Sequence, residues 1–385
     1  MPTHNDHSLL NSSTILVTGG SGGLASQLLQ LFSQYGCKHL HSVDLRPPHR
    51  RLNGVAYHTG DLGDVETMRR IFQNSKPDVV IHTASPKFDA PNHIMYRVNV
   101  EGTKTLLQIA KDSGTRSFVY TSSASVVSDA KTDLRNADET LPVNLDDMHP
   151  EFYTYTKALA ETLVLAQNQR TQEDTTSPRF LTCAIRPSGI FGVGDLVVLP
   201  GILDAYFRGQ TRVQIGDNQN LFDFTENRNV AYAHYLAASA LLASHQSLPK
   251  ADARVDGEAF FITNDEPLCF WDFTRLVWGY AGDTTQLNQV WLLKRSWALL
   301  LAGLLEWVFW AFRLGEAPLT RTKVRLSCMT RYFCIDKAKS RLGYKPIVEL
   351  REGLRQAVED CVSRCKEGQS VVAVGGIKGA LQKRQ

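Results

Sequence analysis

Short apolar runs and amphipathic stretches alternate along the first half of this chain. Thr14-Ile-Leu-Val-Thr18 is a brief apolar run, after which Leu24, Leu28, Leu31 and Phe32 recur at helical spacing. That pattern predicts a strand, a turn and a helix. His39-Leu-His-Ser-Val-Asp44 reads as a second short strand, and Thr59-Gly60-Asp61-Leu62 closes a third. Asp78-Val-Val-Ile-His82 runs into the small-residue turn Thr83-Ala84-Ser85-Pro86, and Ser117-Phe-Val-Tyr-Thr121 is a fifth strand. Strand signals alternating with helix signals predict an α/β fold, a Rossmann-type doubly wound parallel sheet. The expected division is a disordered lead over residues 1–13, a cofactor-binding domain over 14–190 and a tail over 366–385. Residues 191–365 are expected to form mainly a smaller C-terminal substrate-binding lobe, with some segments returning to the sheet. The polar stretch Gln169 to Pro178 reads as a surface loop.

The first turn is Thr18-Gly19-Gly20-Ser21-Gly22-Gly23-Leu24-Ala25. Lying between a strand and a helix, it has the setting of a dinucleotide site rather than of a stray glycine cluster. Gly19 permits the tight turn, and Gly22 lets backbone approach a pyrophosphate whose charge the helix N-terminus favours. Ala25 stands where a third glycine is usual and costs little closeness. Asp44 ends the second strand about twenty residues further on, placed to accept the ribose hydroxyls and repel a 2′-phosphate. The cofactor expected is therefore NAD, although Arg46 nearby is the kind of residue that welcomes NADP. Asp61 and Leu62 are placed to meet the adenine, and Ala84 and Ser85 to line the cofactor.

Tyr153 and Lys157, in Glu151-Phe-Tyr-Thr-Tyr-Thr-Lys157, lie four apart on a predicted helix and so share a face. An ammonium beside a phenol stabilises the phenolate, which predicts a Tyr153 pKa lowered toward neutrality and a role as base. Any Tyr and Lys can fall four apart, and most such pairs are surface contacts. The glycine turn and Ser122-Ser123 at the end of the fifth strand make this one specific. A Ser at the carboxyl end of a parallel strand faces the ligand crevice and can hold a substrate oxygen. Asn99 stays open between a structural and a proton-relay role.

With these residues in place the chain resembles the extended short-chain dehydrogenase/reductases, within them the 3β-hydroxysteroid dehydrogenase group and its branch of fungal sterol-4α-carboxylate 3-dehydrogenases (decarboxylating). The resemblance runs from about Thr14 to about Val362. It is carried further by Cys183-Ala-Ile-Arg-Pro187-Ser-Gly-Ile-Phe-Gly192, by Gln214 through Asp223-Phe, and by Gly257 through Trp271-Asp-Phe. It implies a catalytic set of Ser123, Tyr153 and Lys157, and a nicotinamide-facing loop over Arg186 to Ile190 that includes Pro187 and Ser188. It also implies NAD-dependent oxidation of a 3β-hydroxyl on a sterol or triterpenoid, with loss of a 4α-carboxylate as carbon dioxide. The same alcohol chemistry without decarboxylation is the alternative. Nucleotide-sugar epimerisation and non-catalytic NAD sensing stand further off. Thr225-Glu-Asn-Arg-Asn229 departs from the resemblance, being polar where an aromatic and a valine are usual.

Composition changes little. Lys+Arg at 42 against Asp+Glu at 39 leaves no basic footprint for nucleic acid. Seven cysteines without a Cys-x-x-Cys fit a reducing compartment, and no metal site is expected. The polar N-terminus lacks the apolar core of a secretory signal. One segment does alter the picture: 297–312 is almost wholly apolar, interrupted by Gly303 and Glu306 and flanked by Lys294, Arg295 and Arg313. A bilayer span needs about 20 such residues. The run is thus either a buried helix closing the substrate lobe or, preferred here, a peripheral membrane contact. The cytosolic face of the endoplasmic reticulum or a lipid droplet is the expected location. A homodimer stays open.

Overall fold

A computed structural model of the chain describes residues 7–48, 50–170, 179–315 and 317–367. Seven strands form the central sheet: β1 Thr14–Thr18, β2 His39–Asp44, β3 Val55–Thr59, β4 Val79–His82, β5 Ser117–Thr121, β6 Leu181–Pro187 and β7 Ala259–Ile262. All neighbours are parallel, in the spatial order β7-β6-β5-β4-β1-β2-β3. The chain therefore starts in mid-sheet, winds outward to β3, then returns to β4 and winds the other way. The crevice between β1 and β4, where the direction reverses, is where such sheets bind ligands.

Every residue of β4, β5 and β6 is buried, as expected where helices cover both faces of a parallel sheet. The two faces divide by the two-residue period of a strand. Ile15, Val17, Ile81 and Val119 pack with Leu28, Phe32, Tyr235 and Leu241, from helices Gly23–Gln34 and Asn227–Gln246. Leu16, Val80 and Phe118 pack with Ile71, Phe72, Leu106 and Val164, from helices Val65–Ser75, Thr103–Asp112 and Phe152–Ala166. Helix Asn227–Gln246 and strand β7 thus bring the second half of the chain back to the sheet.

A second core gathers Phe191, Leu203, Phe224, Phe273, Leu354 and Val358 beneath helices Val198–Phe207, Phe270–Tyr280 and Leu350–Lys366. Beside it lies a four-stranded sheet of Leu134–Ala137, Leu221–Phe222, Leu268–Cys269 and Arg331–Phe333. The expected lead over residues 1–13 needs correction: His7–Ser12 is helical, and Leu10 is fully buried with β1 neighbours in the first core. Two adjacent apolar side chains in a polar stretch, Leu10 with Leu9 packed beside it, are enough to dock that turn. Residues 1–6, most of the Gln169–Pro178 stretch (171–178) and the tail from 368 onward lie outside the described residues.

Candidate active site

Backbone geometry at the first turn leaves no room for a side chain at Gly19. Gly19 has φ +76°, and a Cβ there would lie 2.8 Å from the Ala84 backbone. Its N–H donates to Val43 O (2.9 Å), and the Gly22 N–H donates back to Gly19 O (2.9 Å). Gly22 caps helix Gly23–Gln34, whose first N–H groups lack intrahelical partners, and Ala25 is fully buried. Asp44 accepts from the Ser21 N–H (2.9 Å), so the carboxylate ending β2 is tied to the turn. The Ser21 hydroxyl in turn donates to Arg46 O (2.6 Å). Asp61 accepts from the Gly63 N–H (2.9 Å) and is half-buried, whereas Leu62 is buried. A cradle of bare backbone, a helix start and a fixed carboxylate fit a dinucleotide. The spacing did not single out Gly23, where a Cβ would meet Gly194 O at 2.7 Å. There a loop from the second half crosses the turn, and Gly192-x-Gly194 was the signal for it.

Helix Phe152–Ala166 carries Tyr153 in its first turn, Lys157 one turn later and Glu161 after that. Lys157 is 2% exposed. Its Nζ donates to Thr121 O at 2.5 Å and lies 4.3 Å from the Tyr120 ring centre. Burial pushes this ammonium down to about 7, with Glu161 pulling the other way. The Tyr153 phenol is pushed up to about 12 by burial, opposed by a hydrogen bond with the Ser85 hydroxyl. The expected fall of the phenol toward neutrality beside Lys157 is not met in the chain without cofactor. Desolvation outweighs the nearby charge, and the ammonium is engaged by the Thr121 carbonyl.

The Ser123 hydroxyl caps the short 3-10 turn Ala124–Val127, 2.8 Å from Ser125 Oγ. Ser122 is buried, and its Oγ has no partner among the described residues. Pro187 is buried at the end of β6, and the Ser188 hydroxyl donates to Asp223 O (3.0 Å), away from the turn. Arg186 and Glu161 form a buried pair with two N–H contacts at 2.9 and 2.5 Å. That pair joins β6 to the helix bearing Tyr153.

Residues the sequence reading missed connect these parts. The Ala84 N–H donates to Thr18 Oγ1 (3.2 Å), which pairs with His82 Nδ1 (2.7 Å). On the other ring edge, His82 Nε2 pairs with Thr103 Oγ1 (2.9 Å), which donates to Asn99 O (2.6 Å). Because Thr103 Oγ1 spends its proton on Asn99, Nε2 carries the imidazole proton and Nδ1 accepts from Thr18. Burial pushes His82 down to about 3, so it stays neutral in this arrangement. Asn99 Nδ2 then donates to Thr156 Oγ1 (3.0 Å), which donates to Tyr153 O (2.9 Å). Asn99 sits in one π-helical turn, Arg97–Gly102, and its Oδ1 has no partner among the described residues. The turn of Ala84 is thereby linked to the backbone of Tyr153. A lone His in a wholly buried apolar strand was the available signal.

The polar stretch Thr225–Asn229 is structural. Thr225 donates to the Ser188 and Ile262 carbonyls, and Asn229 clips the chain at Val348. Hydrogen bonds hold there what an aromatic contact would hold elsewhere.

Residues 16–295 match the family described as the 3-beta hydroxysteroid dehydrogenase/isomerase family. The chain is 39% identical over 355 residues to sterol-4-alpha-carboxylate 3-dehydrogenase, decarboxylating, of Saccharomyces cerevisiae, covering 90% of this chain and 97% of that protein. With the Mus musculus enzyme of the same name the identity is 32%, covering 93% of each chain. Among solved structures, UDP-glucose 4-epimerase of Thermus thermophilus in complex with NAD superposes with a TM-score of 0.64 at 18% identity, covering 90% of this chain and 98% of that one. The NAD complex of dTDP-glucose 4,6-dehydratase from Bacillus anthracis gives 0.63 at 16% identity, covering 94% and 100%. Those two share the fold with this chain. The length of the family match and the identity to these relatives together show that the chain belongs to the 3-beta hydroxysteroid dehydrogenase/isomerase family.

Proposed function

We propose that this chain oxidises the 3β-hydroxyl of a 4α-carboxysterol or related triterpenoid to the 3-ketone with NAD, and that carbon dioxide leaves from C4. The observation that carries this reading is the near end-to-end identity with enzymes named for that reaction. Residues 14–190 are the cofactor-binding part in this reading, and 191–365 mainly the substrate lobe. Gly19, Gly22 and Ala25 would hold the pyrophosphate against the helix start, Asp44 the ribose, and Asp61 and Leu62 the adenine. Ala84, Ser85, Pro187 and Ser188 would line the remainder, with Ser188 offering contact surface because its hydroxyl, N–H and carbonyl are all engaged. Bound NAD would accept the hydride from C3 and bring a positive ring that favours a phenolate nearby.

Tyr153 is the base that removes the hydroxyl proton, and Ser123 holds the substrate oxygen once its hydroxyl turns from Ser125. Lys157, when protonated, places a positive charge one helical turn from Tyr153, held in place by Thr121 O. The product ketone lies β to the carboxylate, so the electrons of the breaking C4–carboxyl bond delocalise into the carbonyl as an enolate. Tyr153 and Ser123 donate to that developing oxyanion. No separate decarboxylation apparatus is required. Incubation of the purified chain with NAD and a 4α-carboxysterol should release NADH and carbon dioxide in equal amounts. NADH without carbon dioxide would instead establish the plain dehydrogenase.

Asp44 makes a second expectation concrete. Wild type should prefer NAD over NADP, and Asp44→Ala with Arg46 retained should narrow that preference by about tenfold or more, since a carboxylate–phosphate repulsion is removed. Steady-state kinetics with both cofactors test it. Equal use of NADP by the wild type would remove Asp44 from the ribose.

A sterol substrate reaches the enzyme from a membrane, and helix Arg295–Ala311 offers the means of contact. Among the described residues no helix is long and apolar enough to cross a bilayer. Peripheral attachment to the cytosolic face of the endoplasmic reticulum or to lipid droplets completes the reading.

A further inference from the structure

A narrow crevice opens beside the helix that carries Tyr153. Ala130, Pro150, Glu151, Arg325, Met329 and Arg331 line it. Two of its lining residues adjoin elements of the site, since Glu151 is the N-cap of the helix that carries Tyr153 and Ala130 follows the turn that Ser123 caps. Arg331 begins the strand Arg331–Phe333, whose backbone pairs with Leu134 on one side and Phe222 on the other. The residue is 9% exposed. Its Nε is buried and has no hydrogen-bond partner among the described residues. Glu151 faces the same crevice and favours the charged guanidinium from a distance, but its carboxylate accepts from Thr154 Oγ1 (3.2 Å). Burial works against the Arg331 charge. Arg325, exposed on helix Arg321–Cys328, adds a second guanidinium at the rim.

A buried guanidinium nitrogen without a partner is costly to fold around, and proteins normally satisfy a guanidinium with a carboxylate or phosphate held by its planar fork. With two arginines against one glutamate, the lining is net positive. We infer that Arg331, with Arg325 at the rim, is the subsite that binds the substrate carboxylate next to the carbon being oxidised. This rests on the reading of the substrate as a carboxysterol. Its chemistry follows from that reading, because a carboxyl on C4 is borne by the carbon next to C3, whose oxygen Tyr153 and Ser123 address. Arg331 would hold the anion until the ketone forms. The leaving carbon dioxide is neutral and would have no hold on the guanidinium.

The test pairs two substrates with two measurements. Full-length wild type and Arg331→Met, chosen to fill similar volume without charge, are compared on a 4α-carboxysterol and on the same 3β-hydroxysterol lacking the carboxyl. Losing a buried charge-assisted pair should lower the ratio of kcat/KM values, carboxylated over neutral, by about 30-fold or more. Arg331→Lys, which keeps the charge but not the fork, should fall between. Equilibrium binding of both sterols to the NAD complex, read by tryptophan fluorescence, should show the same loss of preference without turnover. A melting measurement confirms that each variant is folded, and Arg331→Lys serves where Arg331→Met is not. A ratio unchanged in kinetics and in binding overturns the subsite while leaving the dehydrogenase reading intact. Wild type that binds both sterols equally overturns it too. Wild type that turns over neither sterol, yet binds the carboxylated one through Arg331, overturns the dehydrogenase reading and keeps the subsite.

Discussion

Tyr153→Phe should lose NADH production by about a thousandfold while binding NAD within a few-fold of wild type, because one proton-accepting oxygen is removed and nothing else. Shape and burial are kept, since the ring stays and only the hydroxyl and its hydrogen bond with Ser85 go. The chain that orients the residue runs to its backbone carbonyl, through Thr156 and Asn99, and is untouched by the substitution. The pH dependence follows from the same burial. A phenol pushed up to about 12 is protonated at neutral pH, so oxidation by the wild type should quicken as pH rises, until the phenolate form is filled in the cofactor complex. Lys157, pushed down to about 7, sheds its proton over the same range and works against that gain, so the rise should be shallower than one proton alone gives. Single-turnover NADH formation across pH, with NAD binding by calorimetry, distinguishes these outcomes. Tyr153→Phe retaining most of the turnover removes it from the chemistry.

The parallel sheet was legible because each strand is a compact apolar run ended by turn chemistry. The glycine turn was legible because Gly19 answers to a positive φ and a close backbone approach that other residues do not meet, in a strand–turn–helix setting. Tyr153 and Lys157 were legible as a pair, and their electrostatics were not. Four-residue spacing says that two side chains share a helix face, but the dielectric around them depends on Tyr120, Thr121 and Glu161, which arrive from elsewhere in the chain. His82 escaped for the same reason. Its partners Thr18 and Thr103 lie 64 and 21 residues away, and only the fold brings them to opposite edges of one ring. Leu10 escaped because the pair Leu9-Leu10 is too short to show a period. Arg331 escaped because an arginine in a mixed stretch reads as surface until its burial is seen.

Replacing Leu300 and Trp307 together with glutamate should release the protein from membranes into the soluble fraction, with activity kept on detergent-dispersed substrate. The sequence favoured a membrane contact over a buried lid for 297–312, and the exposure of its side chains guides which residues to replace. On helix Arg295–Ala311 only Ala298 and Ala302 are fully buried, packed against Val324, while Leu300 is 66% exposed, Trp307 59% and Trp310 77%. Trp291 and Phe312 extend the apolar surface beyond the helix ends, and Lys294, Arg295 and Arg313 stand beside it as they would at lipid headgroups. Even the one acid in the helix is accounted for, since Glu306 is paired with Arg321 at 2.6 Å. Burying a Leu or Trp side chain in the acyl boundary contributes roughly 1.5–3 kcal/mol, so removing two should weaken attachment by about a hundredfold or more. Val308 would be a poorer target because it is half-buried, and a charge there also disturbs packing. Flotation with vesicles of mixed neutral and anionic lipid, paired with a melting measurement, separates detachment from unfolding. Folded wild-type protein that never floats with those vesicles would refute membrane contact. Substrate would then have to be delivered from solution.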